Sequence, residues 1–166
     1  MKLATMGESA KALLYAFVTE LTSLGVDVPD AYYVAPGEIP WDGESLVLSL
    51  SDISTGQPGQ PIGSSIQTVD AIETTVTLAV ELIRPTATEG YLGGPLGLPS
   101  IEAMENDGVN ALNDAGALYQ AAINIKGKGQ IVSRGAGFVI GQCVPIGPNG
   151  GLAAMRLELA LSVDGS

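Results

Sequence analysis

Histidine is missing altogether from these 166 residues, and cysteine occurs once, at position 143. Without histidine there is no Ser-His-Asp or Cys-His machinery, and a single cysteine permits neither an internal disulfide nor a thiolate metal cluster. Positive charge is scarce as well. Seven lysines and arginines stand against eighteen acids, giving a net charge of −11 and a pI near 4.1. That balance disfavours binding through a nucleic-acid backbone. Long hydrophobic runs are also lacking. The longest uncharged stretch, Gly135 to Met155, is broken by Pro145 and by Gly147-Pro148-Asn149-Gly150-Gly151, so it does not make a membrane helix. Near the N-terminus, Lys2 precedes the apolar run Ala12–Val18, but Glu8 and Lys11 intervene and Glu20 follows. No small-residue cleavage site appears, and the reading predicts a cytoplasmic start.

What the chain does have is apolar bulk: 46% hydrophobic residues, 15% charged residues and a mean hydropathy of +0.31. A single domain spanning 1–166 is expected, and one this apolar completes its burial against partner subunits. Charge is uneven along it. Residues 1–125 carry three basic and sixteen acidic groups, a balance of −13, whereas Lys126, Lys128, Arg134 and Arg156 leave residues 126–166 at +2. One copy's basic segment is thereby suited to a neighbour's acids.

Periodicity predicts an α+β domain. Leu3, Met6, Ala10, Leu13, Leu14, Phe17, Leu21 and Leu24 recur at helical steps up to Gly25, a natural terminator. Ala31–Ala35 reads as a short strand. Leu46, Leu48 and Leu50 alternate with polar or smaller residues in a strand near 46–52, and Thr74, Val76, Leu78, Val80 and Leu82 do so near 74–84. Ser100 is a candidate N-cap with Glu102 in the first turn, opening a second helix that runs to about Ile125. Its apolar stripe is Ile101, Met104, Val109, Leu112, Ala115, Leu118, Tyr119 and Ala122, and Gly108 and Gly116 beside it suggest close packing on a sheet. Lys126-Gly127-Lys128-Gly129 then ends the helix, and Gly127–Gln130 reads as a mobile cationic connector. A hairpin closes the pattern, with arms near 137–144 and 152–163 around the turn Pro145–Gly151; Met155, Leu157, Leu159 and Leu161 point one way, Arg156 and Glu158 the other. The expected order is α-β-β-β-α-β-β, two helices packed on a mostly antiparallel sheet.

Chemistry finds little purchase. Gly127-Lys128-Gly129-Gln130 lacks the spacing of a phosphate loop and follows a helix rather than a strand. Glu102, Glu105 and Asp107 cluster where acids favour a helix dipole, and Asp70 and Glu73 open a strand; neither group has aromatic residues beside it, so solvated surface is the reading for both. No calcium-loop spacing occurs. Cys143 sits in the apolar run Phe138–Val144, where a small buried residue is expected. No catalytic residue, metal or cofactor is expected. Two loops stand out instead, Asp52–Ser65 and Thr86–Pro99. The second carries Tyr91, Leu92, Leu96 and Leu98 among glycines and prolines, a composition suited to a subunit contact.

The strand Thr75–Arg84, the helix from Ser100 and the hairpin Gly137–Asp164, in this order behind a leading amphipathic helix, resemble the tail terminator (tail completion) proteins of long-tailed bacteriophages. The resemblance extends over nearly the whole chain and lies in element order rather than in a short motif. It implies a non-enzymatic virion protein at the head-proximal end of the tail. Such a protein forms a six-fold homo-oligomeric ring on the tail-tube protein, ends tube polymerisation and meets a head-closure or connector protein. Double-stranded DNA passes through the lumen, where acids would repel phosphates. Candidate contact residues are Tyr91, Leu92, Leu96, Leu98, Lys126, Lys128 and Arg134, the last three meeting a neighbour's acids or DNA. A head-closure or tail-tube subunit, a small carboxylate-dependent hydrolase and a cytoplasmic ligand-binding domain are the alternatives.

Overall fold

The first helix, α1 (Met6–Ser23), turns its buried face, Ala10, Leu13, Leu14, Phe17 and Leu21, onto a sheet. It stops in a Schellman arrangement: Gly25 N–H bonds to Thr22 C=O at 3.0 Å and Val26 N–H to Leu21 C=O at 3.0 Å. Gly25 adopts the left-handed φ of 78° that this arrangement needs. In this computed structural model the described residues are 6–37, 42–55, 74–86, 100–129, 138–149 and 151–163. The other elements are β1 (Tyr32–Ala35), β2 (Ser45–Thr55), β3 (Thr74–Pro85), α2 (Ile101–Lys128), β4 (Phe138–Asn149) and β5 (Leu152–Val163). The order α-β-β-β-α-β-β is the one the periodicity predicts.

The strands form one sheet in the order β1-β2-β3-β5-β4. β1 runs parallel to β2, and the other three pairings are antiparallel. β3 and β5 pair without interruption from Thr74↔Val163 to Pro85↔Leu152. Their even positions in β3 and odd positions in β5 build the core: Val76, Leu78, Val80 and Leu82 lie beside Leu161, Leu159, Leu157 and Met155 under both helices. Leu157, Leu159 and Leu161 are buried as the alternation requires. The opposite face holds a smaller apolar cluster, Ala35, Val47, Ile83 and Ala154. β3 is therefore buried on both faces over much of its length, as a central strand can be.

Two strands are longer than their periodicity predicts. β2 continues past Asp52 to Thr55, because a bulge between Leu50 and Asp52 resets the register and Asp52 pairs with Thr77. β4 passes through Pro145 and Pro148 to Asn149, where a turn had been expected. It lies at the sheet's edge, where a missing N–H leaves no ladder bond unmade. Two bulges, Ile140/Cys143 and Ile146/Asn149, absorb the misfit against β5. In the first of them Gly141 comes so close to its neighbour that a Cβ would lie 3.0 Å from the Glu158 carbonyl oxygen.

Candidate functional site

Helix α2 governs what the surface offers. Ser100 caps it, its hydroxyl accepting from the Ala103 N–H at 3.1 Å, with Glu102 in the first turn. The helix does not end near Ile125. It continues through Lys128 and is closed by Gly129 in the left-handed conformation, φ 62°. Of the mobile connector expected at 127–130, the described residues 127–129 are thus helix and cap, and the reason is Glu20. This α1 carboxylate is buried, and it accepts hydrogen bonds from Lys128 Nζ and from Asn124 Nδ2, the latter at 3.2 Å. The Lys128 hydrogen bond holds the Glu20 carboxyl below its ordinary value; burial works against that shift, and Asn124 adds to it.

Lys128 pairs with Glu20 of its own chain while its side chain stays 54% exposed. Lys126, in the same turn, is exposed. Tyr91, Leu92, Leu96, Leu98 and Arg134 lie outside the described residues, as do Asp70 and Glu73.

The face that α2 buries is also not the expected one. Leu118, Ala121, Ala122 and Ile125 are buried, whereas Ile101 is 80% and Leu112 76% exposed, and Met104, Val109, Tyr119 and Ile123 are exposed too. The helix carries two apolar stripes, and only the one at its C-terminal half fits between α1 and the sheet. Nearer its start, the half-buried positions are Ala103, Asp107, Ala111 and Asp114. Gly108 and Gly116 are exposed, and a Cβ on either would meet nothing within 4 Å. Close packing on the sheet does not explain them, although each costs the helix about 1 kcal/mol relative to alanine.

Under the first half of α2 a cleft of about 410 Å³ opens between the helix and the ends of β3, β4 and β5. Leu82, Ala154 and Met155 are among its apolar lining residues, and Asp27, Glu44, Asp107 and Asp114 among its acids. Arg84 joins the surrounding elements. Its Nη1 lies 2.5 Å from Glu44 Oε1 and its Nε 3.1 Å from Asp114 Oδ2. Burial opposes the Arg84 charge, but hydrogen bonds to Asp114 and then Glu44 outweigh it and raise the guanidinium pKa. Both carboxylates are therefore committed to holding β3 to α2 and to the start of β2.

On the sheet's other face Arg156 sits opposite Glu81, at 3.3 Å, with Glu158 at 3.9 Å and the Ser51 hydroxyl at 3.0 Å. Its Nε is buried without a hydrogen bond. The two sheet edges lie on opposite flanks. β1 presents Tyr32, Tyr33 and Val34, all exposed, with the Tyr15 ring of α1 edge-on to Tyr32 at 5.8 Å and Lys11 Nζ 5.8 Å from the Tyr15 centroid. β4 presents Val139, 62% exposed. Among the described residues no strand pairs with the outer side of either.

Cys143 is half-buried against the core, and burial pushes its thiol pKa up, which suppresses the thiolate. Among the described residues no three of the carboxylates and this cysteine come together to hold a metal ion, and no described helix is long and apolar enough to cross a membrane.

No protein-family model matches the chain, and no curated protein does. Among solved structures, a chain from the virion of a native gene transfer agent particle is similar to it, with 15% sequence identity, 93% of each chain covered and a TM-score of 0.43.

Proposed function

We propose that this chain is a non-catalytic virion subunit of a long-tailed phage-like particle: a six-fold ring that caps the tail tube, ends its polymerisation and meets the head. The observation that carries this reading is the pair of sheet edges on opposite flanks that no described strand covers, β1 with Tyr32, Tyr33 and Val34, and β4 with Val139. Unlike surfaces on opposite sides of one subunit join head to tail, and such contacts close into rings when the rotation permits. Exposed strand edges are templates for pairing with another chain. The element order resembling tail terminators supplies the particle and the place within it. The loop Thr86–Pro99 adds Tyr91, Leu92, Leu96 and Leu98 to the contact, and Lys128 with Arg134 adds charge.

The ring's partners in this reading are the tail-tube protein and a head-closure or connector protein, and duplex DNA passes through without being read. A net charge of −11 suits a conduit that lets phosphates slide. Negative-stain electron microscopy and native mass spectrometry of the purified chain test the proposal. Rings of six subunits are expected, and Leu92→Asp with Leu96→Asp should abolish them while leaving a folded monomer. A chain that stays monomeric at high concentration and also fails to bind isolated tail tubes sinks it. Nanomolar, sequence-selective binding of duplex DNA at physiological salt would equally contradict a passive conduit.

A further inference from the structure

The outward stripe of α2 is not random apolar exposure. At about 100° per residue, Ile101, Gly108, Leu112, Ala115, Tyr119 and Lys126 fall within roughly 60° of one another around the helix, with Glu105 and Ile123 at the margin. Lys128, which reaches back to Glu20 on α1, lies about half a turn round from Tyr119. The stripe therefore faces away from α1, on a side of α2 that no other described element covers, with Ala115 at its edge half-buried against the core. It carries an acid near its start, Glu105, and ends with a base, Lys126.

Laid antiparallel against its own copy, this stripe is self-complementary. Set Glu105 of one chain opposite Lys126 of the other, and the same register places Gly108 opposite Ile123, Leu112 opposite Tyr119, and Ala115 opposite Gly116. Each large residue meets a small or complementary one. The small pair falls at the crossing point, where two helix backbones approach most closely. Both ends gain an opposite charge, and the helix dipoles run antiparallel. The two exposed glycines, which no contact among the described residues requires, then have a reason: they make room for a second helix.

We propose that a second copy of this chain docks on the outer stripe of α2, two α2 helices pairing antiparallel about a two-fold axis near residues 115–116. The contact is separate from the head-to-tail one at the sheet edges, so it joins two free chains or two rings. Glu105 and Lys126 set its direction, and Gly108 and Gly116 set its closeness.

Two measurements test it on the full chain. In the first, association is followed by analytical ultracentrifugation at low ionic strength. Glu105→Lys and Lys126→Glu should each weaken self-association at least tenfold, and the double exchange should restore it, since the reversed pair still matches. In the second, Gly116→Cys in a Cys143→Ser background is exposed to mild oxidant. A disulfide-linked dimer is expected, whereas Gln120→Cys, one turn further from the two-fold axis and so about 13 Å from its copy along the helix, should stay unlinked. Gly116→Leu gives a control against mere misfolding: helix propensity should raise the melting temperature of the chain while the self-association is lost. The proposal is overturned if Gly116→Cys links no faster than Gln120→Cys, or if the double charge exchange associates no better than the single ones. Rings that form normally while both tests fail would remove the α2 pairing and leave the ring reading standing.

Discussion

Leu112 and Leu118 are six residues apart on one helix, and substituting each by alanine measures how α2 is seated. Leu118 is 0% exposed and lies among Phe17, Leu21 and the sheet, whereas Leu112 is 76% exposed. Removing three carbons from Leu118 forfeits their transfer free energy and leaves a cavity between two rigid layers. The cost is expected at about 3 kcal/mol, within the usual 2–5 for buried leucine. For a chain of this length that corresponds to a fall of roughly 6–12 °C in Tm. Leu112→Ala removes surface that is already wet, so its cost should stay below about 0.5 kcal/mol. Urea unfolding followed by circular dichroism resolves the difference, because at a slope of about 1–3 kcal/mol per molar the Leu118 variant shifts its midpoint by 1 M or more. The measurement belongs at concentrations where the chain is monomeric, since a bound partner would add its own stabilisation. Equal costs, or a greater cost at Leu112, would refute the seating of α2 and the contact built on its outer face.

Arg84→Met leaves Asp114, which is mostly shielded from solvent, without its cation, and should cost about 2 kcal/mol, less than a fully buried pair because Glu44 is partly solvated; Arg84→Lys should recover only part of it, as read by chemical denaturation. Because the Glu20 pKa is lowered in the fold, its contribution is present above the ordinary value of 4.5 and lost as pH falls through the depressed folded value. Glu20→Gln should therefore be less stable than the parent at neutral pH and converge with it in acid, and a constant gap down to the lowest pH would contradict the assignment. Cys143 should react with a thiol reagent at neutral pH at least tenfold more slowly than in the urea-unfolded chain, and equal rates would show that its thiol is neither shielded nor raised in pKa.

Much of the fold was legible because the core strands obey a strict period of two. Leu78, Val80, Leu157 and Leu159 could face only one way, and the helix from Met6 to Ser23 buries the stripe its spacing announces. The edges were harder to read. Pro145 and Pro148 normally break strands, and only the position of β4 at the margin of the sheet explains why they do not. Helix α2 misled for another reason. Two apolar stripes share its 28 residues, and periodicity cannot say which one the tertiary structure buries. The signals that decide were present but polar: Glu20 in an otherwise apolar helical face, and Asp107 and Asp114 on one side of α2. Their meaning depends on Lys128 and Arg84, each distant in sequence, so no local pattern reveals them. For the same reason the pairing of Lys128 with Glu20 is not legible locally, and Ile101 and Leu112, which share the periodic stripe, prove exposed.

The order β1-β2-β3-β5-β4 has a temporal side. β3 finds its second neighbour in β5, whose residues follow it by some seventy to ninety positions, with α2 and β4 synthesised in between. During translation the hairpin of β2 and β3 must wait with one edge open and Val76, Leu78, Val80 and Leu82 unsupported on that side. Pairings that span so much sequence form slowly, and waiting edges of this composition invite other nascent chains. On a polysome making many copies side by side, the period between the emergence of β3 and that of β5 is when this protein is most exposed to misassembly, and when a chaperone would have most to protect.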